Sequence, residues 1–357
     1  MSSILSRSVL RQVLEKAVSY GADFAEVYAE HTKSNRMTMV DGKVETIMDN
    51  FLSGAGIRVF KGLKSAYAST SDLSLPSLLK CAENAAASLS NTPASREILL
   101  TERLFGDVHP IRIVPDTAPN ARKAEILRTA YTSAKSYHES ISQVETALID
   151  VDHEILIANT DGLLTGDRQI RTRLFTQAVA SKNGENQTGS CSPGRRMGLE
   201  MFDAIDPASV GREAARQAVV MLSAGYCPAG KMTVAIENGF GGVIFHEACG
   251  HSLEATSVAK GNSQFAGKLG TRIANPKVSA VDDGTIPHAW GSMNIDDEGH
   301  PSQRNVLIKD GVCTSYLIDR LNGQRMGMPS TGSSRRQNYT FEPTSRMTNT
   351  FILNGPD

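Results

Sequence analysis

The sequence predicts an α+β fold of two domains with mainly antiparallel sheets, and three observations carry that prediction. Helical apolar periodicity and β-rich runs come in separate blocks rather than in strict alternation. Asp-Gly and Asn-Gly pairs sit between β-rich runs, where they favour hairpins over βαβ crossovers. A Gly- and Pro-containing stretch at 225–230 divides two segments. The expected division is an N-terminal α+β domain over 1–225 and a C-terminal domain over 226–357, the second holding the run His246-Glu247-Ala-Cys249-Gly250-His251.

The elements follow in order. Leu10, Val13, Leu14, Ala17 and Val18 recur at helical spacing and make one apolar stripe, which Gly21 ends. The period then changes: Arg36–Val40 and Lys43–Ile47 flank Asp41-Gly42 as a hairpin, with further strands expected at Gly56–Phe60 and Ser65–Ser69. Helices are expected over Leu75–Leu89 and Asn120–Tyr137, joined by a Pro-containing connector. From Ser140 to about Met201 the turn signals Asp161-Gly162, Asn183-Gly184 and the Gly-Ser-Cys-Ser-Pro-Gly stretch at 189–194 divide short strands of an antiparallel sheet. A helix over Pro207–Ser223 precedes the linker. After it, Lys231–Ile236 reads as a strand, Asn238–Gly242 runs into an apolar helix start, and short strands with Gly/Pro turns fill the remainder.

Composition excludes several function classes. The 357 residues carry 37 Lys+Arg against 38 Asp+Glu, a formal charge of −1 that argues against a protein whose main work is coating nucleic acid or anionic membrane. The five cysteines, Cys81, Cys191, Cys227, Cys249 and Cys313, lie more than twenty residues apart, so neither a zinc ribbon nor a disulfide scaffold is expected. Arg7, Arg11, Glu15 and Lys16 interrupt any signal-peptide core, and no run approaches the roughly 18 apolar residues of a spanning helix. The expected setting is reducing and cytoplasmic.

The chemistry concentrates in one string. His246 and His251 flank Glu247 behind an apolar lead-in, as the two histidines of a zinc peptidase helix flank its glutamate. With 8 histidines in the chain, a chance His-Glu-x-x-x-His is expected only about 0.01 times. The spacing is one residue longer than the usual i, i+4. On an ideal helix, positions five apart stand roughly 140° from one another, so the two imidazoles need a π-bulge or a helix break to share one ion. Gly250 would supply the backbone freedom. With Zn²⁺ held there, Glu247 would be the general base for amide hydrolysis.

Single residues support blander readings. Either histidine alone on an apolar segment is more often a hydrogen-bonded core residue, and only their combination with Glu247 reverses that balance. Cys249 reads as packing rather than a ligand. Glu254 is open between third ligand and a carboxylate orienting His251, the latter favoured. His288 and His300 read as solvent-facing turn residues. The arginines between Arg320 and Arg346, opposed only by Glu342, read as a solvated face, with clamping of a peptide carboxylate as the functional alternative. No Gly-Lys-Ser/Thr follows Gly239-Phe-Gly-Gly242, and Gly54-Ala-Gly56 lacks the rest of a dinucleotide fingerprint.

The string resembles the signature of the TldD/PmbA family of metallopeptidases, also called modulators of DNA gyrase. Val281–Thr285, Asn294–Gly299, Asn305–Ile308, Arg325–Met328, Arg346–Thr350, Gly54–Arg58 and Ala66–Thr70 extend the resemblance over nearly the whole chain. It implies zinc held by His246 and His251, Glu247 as catalytic base, and small or unfolded peptides as substrates. It also implies a homodimer, or a heterodimer with a paralogous subunit lacking the metal motif; this chain is similar to the metal-bearing member. The family's third ligand is a late cysteine, so the chain, which stops at Asn354-Gly-Pro-Asp357, is expected to be truncated before it. The alternative from another class is a non-catalytic binding or assembly subunit with a vestigial metal site.

Overall fold

A computed structural model of the protein describes residues 4–89 and 92–355. The first part runs α1 (Arg7–Val18), β1 (Phe24–Val40), β2 (Lys43–Lys61), β3 (Lys64–Thr70), α2 (Leu75–Ala87), β4 (Thr101–Glu102), α3 (Asn120–Lys135), β5 (Ile141–Asn159), β6 (Leu163–Lys182), β7 (Glu185–Cys191), β8 (Gly194–Arg195) and α4 (Pro207–Ser223). The second runs α5 (Val243–Phe245), α6 (Ala255–Val258), β9 (Ala280–Asp283), β10 (Arg304–Lys309), β11 (Val312–Cys313), α7 (Arg320–Met326), β12 (Ser334–Arg335), β13 (Thr344–Ser345) and β14 (Thr350–Ile352). The fold is α+β, and its strand pairs are antiparallel apart from the short β4–β6 contact and one isolated bridge.

Strands β1–β8 form one sheet in the order β3-β2-β1-β5-β6-β4, with β7 and β8 also on β6. Its hairpins turn where the sequence signals them. Val40 pairs with Lys43 across Asp41-Gly42, whose φ values of 45° and 81° match the primed turn that suits strand twist. Lys182 pairs with Glu185 across Asn183-Gly184 in the same way. The 140–201 region differs from expectation, because two long strands replace several short ones. Polar stretches such as Asp150–Glu154 do not break β5, since it lies between β1 and β6 and its backbone groups are paired along both edges.

The helices cover opposite ends of this sheet. Helix α1, begun by the Ser6 side chain accepting from the Val9 amide, buries Leu10, Val13, Leu14, Ala17 and Val18 with α2 against Ala25, Val27, Ala29 and Ile57. Helices α3 and α4 cover Met37, Met39, Leu148, Leu174 and Ala178. On the other face of β1, Tyr28 packs with Ile155 and Ile157 against Ile295 and Tyr339 of the second half. The first half of β1 is therefore buried on both faces, which explains the unbroken burial of Phe24–Glu30.

That second face is a seam of buried charge. Arg58 lies between Glu26, at 3.2 Å, and Glu298, and Arg336 bonds Glu26 while its guanidinium stacks 4.5 Å over the Tyr28 ring. Glu30 accepts from the Tyr339 amide at 2.7 Å and bonds His153 at 2.8 Å. Gly54 is small because a Cβ there would fall 2.4 Å from the Tyr339 ring. The arginine run of the second half is thus not a uniformly solvated face: Arg336 is buried, drawn in by Glu26.

The second half carries a four-stranded sheet, β11-β10-β9-β14, and the β12–β13 ribbon. The strand expected at Lys231–Ile236 does not form. Met232, Val234 and Ile236 keep the alternating pattern but stand exposed, and among the described residues no strand pairs with them. Alternation specifies a strand only where an edge is present to pair with.

Candidate metal centre

The segment around His246 changes pitch twice within a few residues. One α turn over Val243–Phe245 widens into a π turn over His246–Gly250 and then tightens into a 3-10 turn over His251–Leu253. The His251 amide donates to the His246 carbonyl, five residues back. That extra residue per turn cancels the angular mismatch of the i, i+5 spacing and returns both imidazoles to one side. Their ring centroids lie 4.7 Å apart, and each of His246, Glu247 and His251 offers a ligand atom within 4.8 Å of the others.

Gly250 takes part for a different reason than its flexibility. Its φ and ψ of −54° and −58° are ordinary right-handed values that any residue adopts. The constraint is space, because a Cβ would fall 2.2 Å from Met347 Sδ. Phe245, Leu253 and Met347 belong to one buried cluster with Leu317 and Ile318, so the underside of the turn is anchored while Glu247 on top stays exposed. Cys249 packs against the same cluster, as its sequence context suggests.

Electrostatics favour a neutral His246 and an oriented His251. Burial first, and the neighbouring His251 second, hold His246 below its ordinary pKa, which favours the uncharged form that binds metals. Glu254 lies 3.1 Å from His251 Nδ1 and accepts a hydrogen bond from its N–H, which leaves Nε2 as the lone-pair nitrogen. Burial raises the Glu254 carboxyl, while Arg346, 3.8 Å away, and His251 pull it back. Of its two open roles, the carboxylate that orients His251 is the one this geometry gives it. Beside His246 a cleft of about 550 Å³ opens between Ile236, Phe245, Ile244 and Phe351.

The other sequence candidates lie elsewhere. His288 and His300 are half-buried, not solvent-facing: the His288 ring is 3.2 Å from the Arg196 carbonyl oxygen, and burial lowers the His300 pKa. Compact turns such as Asn294–His300 fold their polar atoms inward on their own backbone, which local polarity does not foretell. Neither joins the group of His246, Glu247 and His251, the one cluster of three or more such ligands among the described residues. Sequence reasoning missed Met347, whose contact with Gly250 spans nearly a hundred residues, and His109, a buried histidine in the connector that accepts from the His288 amide at 3.0 Å.

Three family models match in chain order: PmbA/TldA metallopeptidase domain 1 over 25–89, the central domain over 113–222 and the C-terminal domain over 229–357. A metalloprotease TldD homologue of Haemophilus influenzae is 35% identical over 363 residues, covering 99% of this chain and 75% of its own length. The chain belongs to the PmbA/TldD metallopeptidase family. A family metalloprotease of Methanocaldococcus jannaschii is 30% identical, over 96% of this chain and 76% of its own. TldE from Thermococcus kodakarensis shares the fold, with TM-score 0.75 at 17% identity over 98% of this chain and 78% of that one. A candidate modulator of DNA gyrase from Thermotoga maritima matches with TM-score 0.77 at 20% identity. The PmbA/TldD C-terminal match contains the whole His246–His251 turn, and membership implies a metal cofactor. Among the described residues no helix is long and apolar enough to cross a membrane.

Proposed function

We propose that this PmbA/TldD chain is the metal-bearing part of a zinc-dependent peptidase acting on small or unfolded peptides, with His246 and His251 as metal ligands and Glu247 as general base. The observation that carries the reading is the π turn, which spends an unusual backbone geometry on bringing two imidazoles and a carboxylate together. Two imidazoles, one oriented by Glu254, suit the donor preferences of zinc. A zinc ion bound there supplies Lewis acidity for water and for the scissile carbonyl.

The chain's own residues do the rest. Glu247, exposed at the top of the turn, takes a proton from the attacking water on its carboxylate and returns it to the leaving amine. Glu254 keeps the His251 ring fixed through Nδ1. Strand β14 is an edge of its sheet and borders the cleft beside His246, so an extended peptide can add to it through backbone bonds with little demand on sequence. Dimerisation with a second copy or a paralogue, and a cytoplasmic setting, belong to the same reading.

The test is Glu247→Gln in the full-length protein. Peptide cleavage should fall by about 10²–10⁴-fold, with metal content unchanged. Undiminished cleavage would overturn the assignment, and bound metal with no cleavage in the unaltered protein would favour a binding or assembly subunit.

A further inference from the structure

The ribbon β12–β13 sets two arginines side by side next to the metal turn. Its register pairs Ser334 with Ser345 and Arg335 with Thr344. Because side chains alternate, Arg335 and Thr344 share one face, and Arg346, two residues beyond Thr344, lies diagonally across from Arg335 on that face. The opposite face carries Ser334, Ser345 and Arg336, all buried, with Arg336 engaged by Glu26. Arg336 is thus held by Glu26, whereas Arg335 is exposed and Arg346 half-buried.

Arg335 lacks a close counter-charge. Among the described residues no carboxylate lies within 4.0 Å of Arg335, whose Nη1 donates at 3.3 Å to the Met347 carbonyl. Arg346 has one carboxylate neighbour, Glu254, at 3.8 Å. Arg336, held by Glu26, and Gln337, Phe341, Glu342 and Thr344 join them in lining a cavity of about 400 Å³. Glu342, its one exposed acid, accepts from Ser65 at 2.9 Å. Desolvation first, and then the charge of Arg346, lowers the Arg335 pKa, partly offset by Asp297, Glu254 and Asp282.

The pair also touches the metal turn from two directions. Arg346 reaches Glu254, which orients His251, and Arg335 holds the backbone of Met347, whose sulfur packs on Gly250. We infer that Arg335 and Arg346 form an anion subsite that binds a carboxylate of the peptide substrate beside the His246–His251 centre. This inference rests on the peptidase reading and deepens it. Two planar guanidiniums suit a carboxylate through paired N–H···O bonds, and Gln337 and Thr344 add neutral hydrogen-bonding groups at the rim. The carboxylate is supplied by the peptide's C-terminus or by an acidic side chain.

The experiment measures binding, not turnover, of fluorescent peptides to the full-length Glu247→Gln protein. Three N-acetylated peptides of one sequence are compared: a C-terminal amide with Gln at one position, the same amide with Glu there, and the Gln peptide with a free carboxylate. At least one carboxylate-bearing peptide should bind about tenfold tighter than the neutral amide, with the advantage shrinking as salt rises. Which of the two gains identifies the source of the carboxylate. Arg335→Gln with Arg346→Gln should erase the gain and leave the neutral peptide's affinity in place. Equal affinity of all three peptides would overturn the subsite while leaving the peptidase reading intact, whereas failure to bind any of them would overturn both. The peptide comparison on the unaltered arginines holds even if the double variant folds poorly.

Discussion

The seam and the metal turn solve opposite problems with the same chain. At the seam, Glu26, Arg58, Glu298 and Arg336 bury at least four charges between the sheet and the second half, with Tyr339 and Tyr28 packed around them. At the metal turn, Ile244 is 59% exposed and Ile236, lining the same cleft beside His246, 55%, and only the underside is anchored. Buried ion networks are poor sources of net stability but strict about who faces whom. Glu26 Oε2, Arg58 Nε and Arg336 Nε have no hydrogen-bond partner among the described residues, so this network too is better suited to fixing register than to adding stability. The difference teaches that the fold places its second half by charge matching in a buried seam and leaves the surface beside the metal turn open. Apolar surface of that extent next to a His-Glu-His cluster marks a place where something binds.

The largest expected effect strikes the seam. Arg58→Ala leaves Glu26 and Glu298 without their shared partner and should cost about 3–5 kcal/mol in denaturant unfolding. Replacing Arg58 by Met together with Glu298→Gln, with Glu26 kept as the partner of Arg336, should recover much of that loss, and failure of the recovery would mean the network stabilises more than it specifies. Next comes Gly250→Ala. The added methyl meets Met347 Sδ and should cost up to about 3 kcal/mol, with a parallel loss of metal affinity. Adding Met347→Ala should restore affinity better than it restores stability, because it relieves the turn by opening the core.

A smaller effect is read from pH where the connector meets the second half at His288. His109, buried and pushed down to about 4 by burial first and then by Arg196 and His288, stays neutral in the fold at pH values where the unfolded chain is protonated. Its folded pKa is depressed, so the unfolded state binds more protons between about pH 6.5 and 4, and stability falls on acidification through that window. The unaltered protein should lose about 2 kcal/mol there beyond what a His109→Asn variant loses, as urea midpoints at pH 7 and pH 4.5 would show. The smallest effect belongs to the metal turn: Glu254→Gln should weaken metal binding by about tenfold with the fold intact, since the amide oxygen still accepts from His251 Nδ1.

The sequence exposed some of these features and hid others for physical reasons. Helix α1, the Asp41-Gly42 and Asn183-Gly184 hairpins and α4 were legible because each is set by local periodicity or turn chemistry. The requirement for a π turn was legible too, since it follows from angular arithmetic on His246 and His251. The strand at Lys231–Ile236 was misread because pairing is not a local property. The arginine run was read as solvated because a sequence does not show that Glu26, some 310 positions from Arg336, faces it. One signal was available for the seam: Glu26 between Ala25 and Val27, and Arg58 between Ile57 and Val59, are charges set inside apolar strands, and such charges need buried partners. The role of Gly250 lay out of reach, because the atom that requires it belongs to Met347.

The central claim is that the π turn lets two histidines five residues apart hold a single ion. Zinc titration calorimetry of the full-length protein, His246→Ala, His251→Ala and the double variant tests it directly. One ion per chain should bind, either single substitution should weaken it by at least about a hundredfold, and the double variant should be little worse than the worse single one, as expected of groups that act together. Two ions per chain, or a single variant that binds zinc as tightly as the unaltered protein, would contradict it.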